Sequence, residues 1–252
     1  SKVKILLLRR WYMVGGAALL AAAAIFYAVN YPASVSAAAT TRQLPIYSVE
    51  RSQKVCAISF DAAWGNEDTQ MLIDILGKYN VKATFFVVGC QTVKDPDIVR
   101  RIAAEGHETG THGDTHSYFT SMSRAEVCRD LSEARRKLME ATGRAPTLLR
   151  PPGGLYDTAV LQQTACADLP VILWSVDPED WRVHDADAVT AHILRHAEPG
   201  SVILMHDLTD SSVTAALPAL WAATVVYTLC ENTFASVLST NTTPNIRPIS
   251  PL

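Results

Sequence analysis

Four short segments, far apart along the chain, carry the residue types that hydrolytic chemistry needs. They are Ser59-Phe60-Asp61-Ala62-Ala63-Trp64-Gly65, His112-Gly113-Asp114-Thr115-His116, Arg150-Pro151-Pro152-Gly153-Gly154 and Leu204-Met205-His206. Between them they offer a carboxylate base, a pair of imidazoles for a metal, an orienting guanidinium and a lone imidazole acid. Each follows a short apolar run that reads as a β-strand, and α/β folds place their chemistry at the ends of such strands.

His112 and His116 are four residues apart, which on one helical turn or a tight loop aims both rings at one ion. Spacing alone is weak support, because His192 and His196 repeat it inside a predicted helix with no strand before them. That second pair reads as an ordinary helix face, whereas the first follows a strand end and brackets Asp114. Asp61 closes an apolar strand beside Phe60 and Trp64; desolvation there should raise its basicity. Capping of the helix that starts nearby is the alternative role for Asp61. Arg150 precedes two prolines that hold the chain extended, and a guanidinium there can pair with a strand-end carboxylate. Gly153 and Gly154 make a turn in which a backbone N–H can approach a substrate closely. His206 ends the most apolar strand, and Asp177 or Asp180 could orient an imidazole. Trp64 and Trp181 could offer flat faces to a sugar ring, although core packing is the commoner task of tryptophan.

These groups need a scaffold. From Val55 onward strand-like runs alternate with helical patterns. Strands are expected at Val55–Phe60, Ala83–Val88, Glu108–Thr111, Thr147–Arg150, Val171–Ser175, Val202–His206 and Val225–Leu229. Helices are expected at Asp68–Lys78, from Asp95-Pro96 to Gly106, from a capping box at Ser123–Glu126 to Gly143, and at Thr158–Ala167, Asp187–Ala197 and Thr214–Ala223, with a short turn or helix at Phe234–Leu238. The alternation means a parallel sheet with crossover helices, an α/β fold. About seven units are few for an eight-fold barrel, so a distorted (β/α) barrel fits; the pattern also allows a doubly wound open sheet.

The chain has 252 residues, 48% of them hydrophobic, and a net charge of −3, so nothing argues for nucleic acid as a partner. Residues 1–10 form a basic tail with Lys2, Lys4, Arg9 and Arg10. Residues 11–29 form an uncharged apolar run near the length of a bilayer core. The charge asymmetry places the tail in the cytoplasm and the remainder outside, as a single-pass membrane protein. A cleavable signal peptide is the rival, with small residues at Val35-Ser36-Ala37 and Ala37-Ala38-Ala39. The length of the run favours a retained anchor over a signal core of ~7–15 residues. Residues 30–53 read as a linker, 54–238 as the main domain and 239–252 as a flexible tail. The five cysteines give no disulfide framework and are expected as unpaired buried thiols.

Residues 54 to about 238 resemble the NodB-homology polysaccharide deacetylases, carbohydrate esterase family four. The four segments carry the resemblance in order and spacing. Val81-Lys82-Ala83-Thr84-Phe85-Phe86-Val87-Val88-Gly89 and Gly106-His107-Glu108-Thr109-Gly110-Thr111-His112 add to it. The Phe60–Gly65 version of the first segment, with an apolar N-terminus, is most similar to the sporulation-associated branch. The resemblance implies a distorted (β/α) barrel that hydrolyses N-acetyl groups on the amino sugars of a glycan. It implies Asp61 as general base, Arg150 as its partner, His206 as general acid and Asp180 as the carboxylate tuning it. His112 and His116 would hold a divalent metal, usually zinc, and the Gly153 N–H would be an oxyanion contact. Trp181 and Leu204 would wall the acetyl pocket. The chain departs from the family pattern at Gly153, where a tyrosine is usual, and at Ala62, where a second aspartate is usually the third metal ligand. Asp61, Asp114, Asp68 or water would have to fill that place. Failing that, the chain is a weak or inactive relative that binds wall glycan or a protein partner.

Overall fold

The computed structural model describes residues 44–50, 52–63, 67–207 and 213–222. The expected membrane run at 11–29, Trp64 and Gly65, the strand at 225–229 and the tail at 239–252 lie outside the described residues. Among the described residues no helix is long and apolar enough to cross a membrane.

Four parallel strands, β1 (Ala57–Ala62), β2 (Thr84–Val87), β3 (Glu108–Thr111) and β4 (Val202–His206), pair in the order β3-β2-β1-β4. About seven were expected. The runs at 147–150 and 171–175 contribute single parallel bridges instead, Thr111 to Leu149 and Leu149 to Val171, and Val176 bridges to Ile203 in β4. Pro146, Pro151, Pro152 and Pro170 flank these runs and lack an N–H for a ladder. In addition, the carbonyls of Ile172 and Leu173 are taken by the Arg150 guanidinium, at 3.3 and 3.1 Å. Followed in order, the pairings leave β1 through β2 and β3 and return to it through β4. Residues 44–50, within the expected linker, run beside this ring, with Ile46 bridged to Ile172 and Ser48 to Ser201.

The helices are α1 (Glu67–Lys78), α2 (Gly89–Lys94), α3 (Pro96–Ala104), α4 (Arg124–Thr142), α5 (Thr158–Thr164), α6 (Ala186–His196) and α7 (Val213–Ala222). Their ends follow from local chemistry. The Asp95 side chain accepts from the Ile98 N–H and Pro96 takes the first helical position. Ser123 and Glu126 form the reciprocal capping box of α4, and Gly143 closes it in the left-handed conformation.

Strand alternation sorts the side chains into two layers. Ile58, Phe60 and Ala62 face outward with Phe85, Val87, Ile203 and Met205, and pack against Leu72, Ile73 and Leu76 of α1, Ile102 of α3 and Ile193 of α6. Ser59 and Asp61 face the other way, paired across the sheet with Leu204 and His206. The ends of β1, β3 and β4 therefore present chemistry on one side and apolar core on the other. The thiol expectation holds for Cys56, which is buried and outside any disulfide, but not for Cys90, which is free and half-buried, nor for Cys128 on α4, which is disulfide-bonded to Cys166 with Cα atoms 5.9 Å apart. The two are 38 residues apart and meet through the packing of α4 on the turn after α5, which no sequence spacing announces.

Candidate active site

The strand register brings Asp61 and His206 side by side, and Leu204 sits one layer below on the same face. His112 is the first residue after β3, and its N–H bonds to the Val87 carbonyl. Arg150 is completely buried and lies at the centre. Its guanidinium donates to Asp61 Oδ1 at 2.7 Å and to Ser59 Oγ at 2.9 Å, while the ring of Phe86 lies 4.0 Å from it. Its carbonyl oxygen accepts from His112 Nδ1 at 2.8 Å.

That last bond fixes a tautomer. A carbonyl only accepts, so Nδ1 carries the proton, and burial lowers the His112 pKa to about 4. At neutral pH Nε2 is therefore a bare lone pair, and it stands 3.5 Å from Asp61 Oδ2. Two acceptors face each other inside the protein, an arrangement that a cation between them would satisfy. The His116 ring is 5.0 Å from that of His112, at the strained backbone φ of 60°. A carbonyl-oriented imidazole beside a second imidazole is the donor set that zinc-like ions take. The donors are incomplete: among the described residues no three His, Cys, Asp or Glu side chains form a ready cluster. Asp114 is not available, since Lys137 of α4 holds both of its oxygens, at 2.7 and 2.8 Å. Asp68 lies in the first turn of α1. Ala62 places a methyl group in the outward apolar layer.

The basicity expected of Asp61 is corrected. Burial does push its pKa up, but the Arg150 guanidinium, helped by the neighbouring His112 and His206, outweighs that, and it lies below the ordinary 3.8. Asp61 is thus an ionised, held carboxylate. His206 is the opposite case. Burial alone would lower its pKa, but Asp180 accepts from its Nδ1 at 2.9 Å and from its backbone N–H at 2.7 Å, and the net shift is upward. Asp180 is wholly buried, so this dyad is rigid. Of the two carboxylates weighed for that task, Asp180 makes the contact, while Asp177 accepts from the Glu179 N–H. Trp181, next to Asp180, is 51% exposed.

Gly153 and Gly154 both have positive φ, 64° and 66°. A side chain at 154 would meet the Trp174 ring at 2.3 Å, so glycine there is required by close approach as well as by conformation. Several partners were not foreseen. Ser59 and Trp174 surround Arg150, and Asp130 ties down the loop between the two histidines through the N–H groups of Asp114 and Thr115. Asp207 bonds to the Asp61 carbonyl through its N–H at 3.2 Å and accepts from the Thr69 hydroxyl; burial raises its pKa to about 6. His192 and His196 lie on α6, with His196 Nδ1 on the His192 carbonyl at 2.8 Å.

Residues 48–172 match the polysaccharide deacetylase family. Over 173 residues the chain is 35% identical to the peptidoglycan-N-acetylglucosamine deacetylase PgdA of Listeria monocytogenes, covering 69% of this chain and 36% of that protein. It thus spans about a third of that relative's length. It is 32% identical over 163 residues to a peptidoglycan-N-acetylglucosamine deacetylase of Bacillus cereus, covering 64% of this chain and 76% of the relative. Among solved structures it superposes with a TM-score of 0.72 on a mutant CE4 family pseudoenzyme with restored enzymatic activity, at 28% identity, over 77% of this chain and 71% of that one. The unmutated protein is from Bacillus anthracis.

Proposed function

The chain belongs to the polysaccharide deacetylase family, and we propose that it hydrolyses N-acetyl groups on the amino sugars of a cell-wall or related glycan. The observation that carries this reading is the convergence of the Arg150–Asp61 pair and the Asp180–His206 dyad on adjacent strand ends. A module that only binds has no need of two separately tuned acid–base groups. Asp61, ionised and anchored, accepts a proton from the attacking water. His206 gives a proton from Nε2 to the leaving nitrogen, while Asp180 steadies the charged ring through Nδ1. The Gly153 N–H faces the developing oxyanion. Trp181 and Leu204 bound the acetyl group. His112 and His116 would hold a divalent ion, zinc by donor type, which when bound supplies polarisation of the acyl oxygen and of water.

The scaffold reads as a distorted (β/α) barrel, supported by the return of the strand pairings through Leu149, Val171 and Val176 to β4. Residues 11–29 with their basic flank support a membrane tether that holds the domain outside the cell, and the Phe60–Gly65 segment supports placement in the sporulation-associated branch. A second reading, a glycan-binding relative with little or no catalysis, is favoured by Ala62, an alanine where the family pattern has a carboxylate ligand. The deciding experiment is acetate release from acetylated chitooligosaccharides and peptidoglycan. The expected result is release with zinc that stops on chelation; no release with any divalent metal would leave the second reading.

The dyad gives a pH test. A general acid must be protonated, so kcat/KM should fall as pH rises through the elevated His206 pKa. In Asp180→Asn the carboxylate that raises that pKa is gone, and the alkaline limb should move down by about one unit. A limb that stays in place would remove His206 from the role of proton donor.

A further inference from the structure

Tyr118 stands two residues beyond His116 and is 51% exposed, yet the loop that carries it is tied down on both sides of it. Its carbonyl accepts from the Ser121 N–H at 3.0 Å and from the Ser121 hydroxyl at 2.8 Å. The next residue, Phe119, is buried in a cluster with Val127, Leu131, Leu149 and Val160. Upstream, the Thr115 N–H and hydroxyl are bonded to Asp130 at 3.1 and 2.8 Å. A large ring kept in water on a hydrogen-bonded loop is available to a ligand rather than to the core.

The ring has a definite neighbour. A Cβ at Gly153 would lie 3.0 Å from Tyr118 Cε1 and 3.7 Å from Leu155 Cγ. Leu155 is 46% exposed. Two exposed apolar side chains therefore flank the bare backbone of Gly153, where the acyl oxygen is placed in the reading above. The Thr115 and Ser117 hydroxyls, bonded at 2.9 Å, add a polar rim on the same loop. A flat apolar face with hydroxyls at its edge complements a pyranose, whose C–H faces are apolar and whose rim is polar.

We propose that Tyr118, backed by Leu155, is a glycan-binding residue that stacks on a sugar ring next to the one being deacetylated, an inference that rests on the glycan reading of the site. Because the loop is already ordered, stacking costs little further entropy. The test is calorimetric titration of the chelator-treated protein with tetra-N-acetylchitotetraose and with N-acetylglucosamine, so that binding is read without turnover. Tyr118→Ala should weaken tetramer binding about tenfold, and Tyr118→Phe should leave it within about twofold. Monosaccharide binding should be unaltered in both, and melting temperatures should match wild type because the ring is half exposed. Equal tetramer affinity in wild type and Tyr118→Ala would overturn the assignment while leaving the glycan reading intact. A Phe variant as weak as the Ala variant would overturn stacking in favour of the hydroxyl. Wild type that binds neither the tetramer nor peptidoglycan fragments would overturn both the assignment and the reading beneath it.

Discussion

Arg150→Met is expected to lower the free energy of unfolding by about 3–5 kcal/mol at neutral pH, which is much of the stability of an ordinary domain. The side chain is completely buried, and four of its contacts have no substitute. Asp61 would keep its burial and lose its counter-charge. Ser59 Oγ and the carbonyls of Ile172 and Leu173 would lose donors that sit 2.9 to 3.3 Å away. The aliphatic replacement fills volume against Phe86 but offers no N–H. The pH dependence separates this cause from simple misfit. In the wild type the Asp61 pKa lies below its ordinary 3.8, so its contribution to stability is present above that value and lost as pH falls through the folded pKa. In the variant the main opponent of burial is gone and the carboxyl pKa moves above the ordinary value. Its cost is then largest at neutral pH and shrinks on acidification, as the buried group takes up a proton. Denaturant titrations at several pH values should show a deficit that narrows toward acid. A deficit under about 1 kcal/mol at neutral pH, or one independent of pH, would mean that Arg150 does not carry the charge balance of the interior.

Much of this scaffold was legible because the relevant signals are local. β4 begins and ends where its apolar run does, β3 spans Glu108–Thr111 as expected, and the Asp95, Ser123 and Gly143 boundaries follow from residues within three positions of the helix end. What stayed hidden was non-local. α2 has Val88 at its N-cap with no side-chain bond and no acidic residue in its first turn, so nothing in its own residues marks it. The runs around Leu149 and Ile172 look like strands by composition, but the carbonyls of Ile172 and Leu173 serve Arg150. The site shows the same division. Strand-end placement of Asp61, His112 and His206 follows from pattern, and the partnership of Arg150 with Asp61 from charge. The capture of Asp114 by Lys137 crosses 23 residues, and it removes one of the candidate third ligands. The basicity expected of Asp61 failed for a related reason: local neighbours announced burial, whereas the Arg150 guanidinium that overcomes it comes from another segment.

Ala62→Asp should raise metal affinity and metal-dependent acetate release, each by about 100-fold, while lowering the stability of the metal-free protein. The two effects have one geometric origin. Ala62 is the last residue of β1 and pairs with Val87, and alternation turns its methyl toward Ile58, Phe60 and the helices, away from Asp61. A carboxylate left there would be buried without a partner, at a cost of about 1–3 kcal/mol. At the strand end it can relieve that burial by turning to the imidazoles, and a bound cation makes this favourable. Metal would then stabilise the variant far more than the wild type, because a tighter ligand shifts the folding equilibrium by a larger RT ln(1 + [L]/Kd). Melting curves with chelator and with zinc read the first quantity, and acetate release reads the second. A variant that melts lower with chelator, recovers with zinc and gains activity would show that the acid–base groups were complete and only the ion was poorly held. If the variant loses stability, fails to recover with zinc and releases no more acetate than wild type, position 62 does not reach the imidazoles, and weak metal binding ceases to explain a weak enzyme.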